Sequence, residues 1–244
     1  MENIVENEIG ISVCMATYNG EKYLKRQLES ILVNLTDKDE LIISDDGSSD
    51  ETLSILKEYA RKNKQIVILK GPRQGVIKNF ENALKNAKGN IIFLADQDDE
   101  WEKNKVEIMI KQFDNPKTLA VVHDAIIVDA KGNKLFDSLF EIRNSKAGLL
   151  KNLLKNSYVG CCMAIRSELL QMALPFPNGI EMHDWWLGLI SDYKKGSIFI
   201  NDKLIKYRRH DHNVSGMKHY PLIRMVENRI YFINKLTQII IKKM

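Results

Sequence analysis

The stretch IIFLADQDDEW, residues 91–101, runs five apolar residues from Ile91 to Ala95 straight into the acidic group Asp96-Gln97-Asp98-Asp99. A short apolar run bounded by a polar cluster has the pattern of a buried strand. Carboxylates at the carboxyl end of such a strand lie where open parallel sheets bind ligands, because loops and helix N-termini converge there. Two of them in Asp-x-Asp spacing can hold magnesium or manganese against phosphate oxygens, since these ions are commonly bound by one or two carboxylates plus the phosphates of a substrate. Asp-x-Asp alone is short enough to recur by chance, so its meaning depends on what surrounds it.

Working toward the N-terminus, the same strand, polar loop and helix unit recurs. Ile11 to Ala16 is apolar and ends in Thr17-Tyr18-Asn19-Gly20, after which Glu21 to Val33 has helical spacing through Tyr23, Leu24, Leu28, Ile31 and Leu32. Leu41 to Ser44 runs into Asp45-Asp46-Gly47-Ser48-Ser49-Asp50, and a helix follows through Leu53, Ile55, Leu56 and Tyr59, with Ser49 or Asp50 as its expected cap. Ile66 to Leu69 is a third strand and Gly75 to Ala87 a third helix. This alternation predicts an α/β fold with a mostly parallel central sheet and helices on both faces. Three strand ends are thus polar in complementary ways. Asp46 can accept from a base N–H, hydroxyls near the first strand can meet a ribose, and Asp96 and Asp98 can hold a divalent ion. The patch Lys70-Gly71-Pro72-Arg73-Gln74-Gly75 precedes a helix and is either a phosphate-holding loop or a solvated one.

Toward the C-terminus the rhythm loosens. Val106 to Phe113 is expected to be helical, Leu119 to Val122 and Ala125 to Val128 to be strands, Tyr158 to Ile165 to be strand-like, and Ser167 to Ala173 and Asp184 to Ile190 to be helical. Ser197 to Ile200 returns as a strand, and residues 206–210 lead into a polar loop ending at Gly216.

With 36 basic and 32 acidic residues, the charge is too balanced for a dedicated nucleic-acid binder. Three cysteines, Cys14 and the adjacent Cys161 and Cys162, match neither a disulfide framework nor zinc spacing. We assign them no chemistry. The start MENIVENEIG lacks the pattern of a signal peptide, and no stretch approaches the roughly 18 apolar residues of a spanning helix. A cytoplasmic location is expected.

The segments ISVCMATYNGEKYLKRQLESIL (11–32), IISDDGSSDET (42–52) and IIFLADQDDEW (91–101) together resemble the family 2 glycosyltransferases, over about residues 9 to 216. HDWWLGLI (183–190) and YRRHDHNVSG (207–216) resemble the rhamnosyltransferase-like branch of that family. The resemblance implies a GT-A type, Rossmann-like three-layer sandwich as the catalytic domain, residues 1–219, and inverting transfer of a single sugar, such as rhamnose or another hexose, from a nucleotide-diphosphate sugar. The donor is expected to be a UDP- or dTDP-sugar and the acceptor a saccharide or lipid-linked saccharide of surface polysaccharide synthesis. It further implies that Thr17, Tyr18 and Asn19 sit at the nucleotide, that Asp46 reads the base, and that Asp96 and Asp98 are the outer members of a metal-binding motif with Asp98 the direct ligand to Mn2+ or Mg2+. Asp184 matches the catalytic base, and His210 a histidine that completes the metal or diphosphate site, with Arg208 beside it as a cation for the leaving group. Asp184 has a plain alternative as a helix cap, and Trp185 and Trp186 as core packing.

The Gln-x-x-Arg-Trp motif of cellulose and hyaluronan synthases is absent, which argues against processive synthesis. No G-x-G-x-x-G follows the first strand, which argues against a dinucleotide oxidoreductase. A nucleotidyltransferase would carry a glycine-rich basic loop where Thr17-Tyr18-Asn19-Gly20-Glu21 stands, and a nucleotide-sugar-binding protein without activity would have no need of Asp184. The tail, residues 220–244, reads as a basic amphipathic helix that either lies on an anionic membrane at the inner face of the cell or packs on the domain or on a second subunit as a homodimer.

Overall fold

The computed structural model describes residues 10–211 and 222–242. The first half consists of β1 (Ile11–Thr17), α1 (Glu21–Leu32), β2 (Glu40–Asp45), α2 (Thr52–Lys62), β3 (Ile66–Lys70), α3 (Val76–Lys85) and β4 (Ile91–Ala95). All four strands are parallel, in the order β3-β2-β1-β4. β1, β2 and β4 are buried almost throughout, which is why they read as continuous apolar runs rather than alternating ones. α3 packs on β1 and β2, and α1 on α2. The cap foreseen at Ser49 or Asp50 falls one residue later, at Glu51, which makes no side-chain cap bond, while Asp50 Oδ1 accepts from the Thr52 N–H at 3.0 Å just ahead of the helix.

The second half holds β5 (Glu100–Trp101), α4 (Lys105–Ile110), β6 (Ala120–Val128), β7 (Lys134–Phe136), α5 (Leu139–Arg143), α6 (Leu149–Leu154), β8 (Met163–Arg166), α7 (Leu170–Ala173), α8 (His183–Tyr193), β9 (Ser197–Arg208) and α9 (Leu222–Lys242). Here the sheet is mixed, and its full order is β3-β2-β1-β4-β8-β6-β9-β5, with β7 paired to β6. β8 runs antiparallel to both β4 and β6, while β6 and β9 are parallel to each other. The carboxyl ends of β1, β2, β4, β6 and β9 therefore share one edge of the sheet. The amino end of β8 comes to that same edge because the strand is reversed.

Three expectations change in detail. The two strands foreseen around Asp124 are one, β6, whose register shifts at His123 and Asp124. The buried Asp124 carboxylate accounts for the interruption, accepting from the Ala125 and Phe140 N–H groups and the Ser138 hydroxyl. The run from Tyr158 to Ile165 is broken by a 3-10 turn, Gly160–Cys162, before β8 begins. β9 is 12 residues long instead of four. Its exposed centre, Asn201-Asp202-Lys203, interrupts the apolar pattern without ending the strand. The tail is helical as α9 and packs through Phe232 and Leu236, with the Phe232 ring 4.7 Å from Trp185 and 6.1 Å from Trp186. The boundary expected near 219, with His212, Gly216 and His219, lies outside the described residues.

Candidate active site

The edge where the carboxyl ends meet is built around the loop 96–101, and α1 holds that loop from one side. Gln27 donates from Nε2 to the Asp96 carbonyl at 2.7 Å, Ser30 accepts from the Trp101 N–H at 3.0 Å, and Asn34 donates to the Glu102 carbonyl at 3.1 Å. Gln27 and Ser30 lie on α1 beside its buried apolar positions, and Asn34 lies two residues past its end. Gln97 turns away from the carboxylates and clamps the β1 loop, accepting from the Tyr18 N–H at 2.9 Å and donating to the Tyr18 carbonyl at 3.0 Å. Gly20 leaves room for that clamp, since a Cβ there would lie 2.3 Å from Gln97 Oε1 and the Gln97 amide would have to shift.

The residues after β1 and β2 tie the two loops together. The Thr17 hydroxyl is buried and donates to Asp45 Oδ2 at 2.9 Å. Asp45 also takes the Gly47 and Ser48 N–H groups and the Ser48 hydroxyl. Asn19, at φ 48, donates its N–H to Ser48 Oγ and accepts the Ser49 N–H. Thr17 and Asn19 thus shape the loop; Thr17 is buried, while Tyr18 and Asn19 are exposed to solvent. Asp46 accepts from the Arg73 N–H at 2.6 Å and the Gly75 N–H at 2.8 Å, so it fixes the loop after β3 against the loop after β2. Each of its oxygens keeps a second lone pair for a base N–H.

The end of β9 closes the other side. His210 Nε2 lies 2.8 Å from Asp98 Oδ2, and its ring stacks on Tyr23 of α1 at 4.9 Å. The Arg208 N–H donates to Asp99 Oδ1 at 2.9 Å, and its guanidinium donates to the carbonyls of Asp98 at 3.0 Å and Asp129 at 3.2 Å. Arg208 is 1% exposed, so its place is beneath the loop, with its guanidinium carbon 5.2 Å from the Tyr23 ring centroid. Tyr23 is a residue that sequence reasoning treated only as a helical apolar position.

The turn 160–162 completes the site. Asp184, in the first turn of α8, is buried and accepts from the Gly160 N–H at 2.9 Å and from the Trp185 N–H at 2.6 Å. Burial pushes its carboxyl up to about 6, against the opposing pull of Arg143 and of these N–H groups. The alternative of Asp184 as helix cap is not what is seen, because the cap position is Met182. Trp185 and Trp186 are buried and donate to the Asn152 and Ala173 carbonyls, as core residues whose polar edges are satisfied. One residue past Gly160, the Cys161 thiol faces Asp96 and Asp99, with a potential ligand atom of each residue within 4.8 Å of the others. Burial and these carboxylates hold the thiol protonated, well above its ordinary range. A protonated thiol therefore faces the acidic loop, a placement that nothing local in the sequence signals.

Four carboxylates crowd this edge. Asp96 is raised well above the usual range by burial and then by Asp99, Asp98 and Asp184. Asp99, 1% exposed, is pushed up to about 7 by burial and by Asp98, and its Oδ2 has no partner among the described residues. Asp98 is raised by burial against the pull of His210. The counter-charge from below is Lys105, fully buried, with Nζ 2.7 Å from the Cys161 carbonyl and 3.9 Å from the Trp101 ring centroid. Its ammonium is held down to about 8 by burial, against the pull of Asp99 and Asp96. A lysine in an apolar helical pattern gave no sequence signal of this. A divalent cation fits such a place. The ligand atoms that converge are those of Asp96, Asp99 and Cys161, while Asp98 and His210 pair with each other outside that group; the carboxylate oxygens suit Mn2+ or Mg2+, and the unpartnered Asp99 oxygen leaves a negative charge only partly met by the protein itself.

The chain is 28% identical over 246 residues to the dTDP-rhamnosyl transferase RfbG of Shigella flexneri, covering 89% of this chain and 80% of that one. Among solved structures it is similar to residues 1–349 of TarS from S. aureus in complex with UDP-GlcNAc, with TM-score 0.72 and 18% identity. That match covers 93% of this chain, which spans 66% of the TarS fragment. It is also similar to the mannosyltransferase PcManGT of Pyrobaculum calidifontis in complex with GDP-Man and Mn2+, with TM-score 0.60, 19% identity, and 79% and 54% of the two chains covered. The family model described as "Glycosyl transferase family 2" matches residues 12–172, about two thirds of the length and including both acidic strand ends. The chain belongs to glycosyl transferase family 2 and has the α/β, GT-A type fold of that family.

Proposed function

We propose that this chain is an inverting, metal-dependent glycosyltransferase that moves a single sugar from a UDP- or dTDP-sugar to a saccharide or lipid-linked saccharide of surface polysaccharide synthesis. The observation that carries it is the turn 160–162, which holds the candidate base and the acidic loop together: Gly160 N–H on Asp184, and Cys161 against Asp96 and Asp99. A binding protein needs the acidic loop and has no use for a buried carboxylate aimed beside it.

The division of labour follows from the contacts. Asp46 accepts a base N–H, and the exposed Tyr18 lies along the nucleoside. Asp98, with Asp96 and His210, would hold Mn2+ or Mg2+, which when bound supplies Lewis-acid neutralisation of the diphosphate. Arg208 sets the loop from beneath and adds positive charge to the leaving-group side. Asp184 takes the proton. The acceptor hydroxyl oxygen bonds to the anomeric carbon as the carbon–oxygen bond to the diphosphate breaks, the electron pair leaves with the nucleoside diphosphate, and the hydroxyl proton passes to the Asp184 carboxylate. Attack opposite departure inverts the anomeric centre. An Asp184 carboxyl pushed up to about 6 is a stronger base than an exposed aspartate and is still ionised at neutral pH.

RfbG supports a rhamnose donor and TarS a UDP-sugar donor, so both are tested. The protein is incubated with Mn2+, a panel of UDP-, dTDP- and GDP-sugars and a set of saccharide and lipid-linked acceptors, and released nucleoside diphosphate is measured. Release with one donor that depends on Mn2+ and on acceptor is expected. Donor binding by calorimetry without release under any acceptor would overturn the transferase in favour of a binding protein, and pyrophosphate formed in a separate reaction supplied with nucleoside triphosphates and sugar 1-phosphates would point to nucleotidyl transfer.

A further inference from the structure

One side of the molecule carries apolar side chains that no part of the described fold covers. On α6, Leu150 is 79% and Leu154 72% exposed. On α9, Ile223, Ile230 and Ile233 are exposed at three- and seven-residue spacing, so they share one face of the helix. The face made by Phe232 and Leu236 is buried against α8. α9 therefore has two apolar stripes, of which only one is used internally. The two elements adjoin: Arg229, next to Ile230, donates to the Leu154 carbonyl at 3.0 Å.

Cations gather at the α6 end of this patch, while on α9 the exposed Glu227 stands beside Ile223 and Ile230. The Lys151 ammonium is held below the ordinary lysine range by burial and by the neighbouring cations Lys155, Arg143 and Lys146. Lys146 and Lys155 are exposed, and none of the four forms an ion pair among the described residues. Nearly fully exposed leucines beside unpaired cations fit a surface that is apolar at depth and anionic at its face. A second copy fits less well. An isologous contact sets the same patch against itself and would bring the two cation groups together.

We infer that α6 and the outer face of α9 together form a docking surface for an anionic lipid bilayer. The protein lies on the bilayer; no helix among the described residues is long and apolar enough to cross one. α6 adjoins the candidate base through Asn152, whose carbonyl accepts from Trp185 Nε1 at 2.7 Å, one residue from Asp184. Resting on the transferase function proposed above, this brings the acceptor side of the site toward the lipid face and favours a lipid-linked acceptor over a free saccharide.

The full chain is floated with vesicles of phosphatidylcholine alone and with vesicles that are about one third phosphatidylglycerol. Binding to the anionic vesicles, weakened by added salt, is expected. Replacing Leu150→Ser with Leu154→Ser should lower partitioning at least about tenfold, with circular dichroism unchanged because both residues are exposed. Lys146→Gln with Lys155→Gln should lower it and flatten its salt dependence. Wild-type protein that stays unbound, or binds neutral vesicles equally well, overturns the inference. So does a dimer in sedimentation that Ile230→Glu splits while vesicle binding is absent. Vesicle binding is read without donor or turnover, so failure of the transferase function leaves its outcome legible.

Discussion

Asp184→Asn should change stability and catalysis in opposite ways, and the stability effect can be sized. The carboxyl stands near 6 in the folded protein, against 3.8 for an ordinary aspartate. A carboxylate whose folded value is raised contributes stability that is fully present below the unfolded value and is lost as pH rises through the folded one. The full difference corresponds to about 3 kcal/mol. Between about pH 4.5 and pH 7.5 the part that is lost is about 2 kcal/mol. Asparagine does not titrate, so the variant lacks this dependence.

At neutral pH the variant escapes the cost of an ionised buried group but turns an NH2 toward one of two N–H donors, from Gly160 or Trp185, which costs about 1–3 kcal/mol. The absolute change at one pH is therefore small. The change in the difference between the two proteins is the clean quantity. Urea unfolding of wild type and Asp184→Asn without metal, at about pH 4.5 and about pH 7.5, should show the variant gaining about 2 kcal/mol relative to wild type at the higher pH. In parallel, kcat should fall by at least about a hundredfold with donor affinity retained, and wild-type kcat/KM should rise with pH through about 6. A stability difference that stays flat across pH would mean that Asp184 ionises like an exposed carboxylate. The basis for its being the base would then be gone.

Other substitutions probe the rest of the site. Lys105→Met removes the buried cation under the acidic loop and should destabilise the protein by about 3 kcal/mol in urea unfolding, because carboxylates are left without their counter-charge; a loss below about 1 kcal/mol would show that the loop is balanced by other means. Asp98→Ala should weaken Mn2+-dependent donor binding at least about tenfold by calorimetry, and unchanged binding would remove Asp98 from the metal site. Gly188→Ala places a Cβ 2.2 Å from the Tyr158 ring and should cost at least about 2 kcal/mol; a melting temperature equal to wild type would show that α8 can move away from Tyr158.

The parallel half of the fold was legible because each of its elements repeats one local rule. Strands buried on both faces are apolar throughout, and the helices between them have apolar residues at three- and four-residue spacing. What was not legible depends on contacts distant in sequence. Nothing local marks Met163–Arg166 as the strand that enters between β4 and β6, nor Asn201-Asp202-Lys203 as the exposed middle of a continuing strand. Lys105 looked like any surface lysine on a helix, and its burial is decided by Trp101 and by Cys161, 56 residues away. Small apolar residues such as Cys161 carry no periodic signal, whatever they face.

The direction of β8 explains why the site has two halves of such different visibility. Ligands in parallel sheets meet the carboxyl ends of strands, and Asp45, Asp46 and Asp96 follow that rule, so position alone singles them out. Arg208 obeys it as well, since β9 runs parallel to β6, but the strand's true end was hidden by its polar centre. The turn 160–162 breaks the rule: it precedes its strand. Because β8 is reversed, its amino end reaches the same edge, and the backbone N–H of Gly160 and the thiol of Cys161 arrive beside Asp184 and Asp96 from the side opposite to α1. The acidic loop is thereby held between α1, which bonds its backbone, and this turn, which meets its side chains. Two of its carboxylates are held in addition from the end of β9, Asp98 by His210 and Asp99 by the Arg208 N–H, and groups fixed in advance in this way are the requirement for electrostatic stabilisation of developing charge.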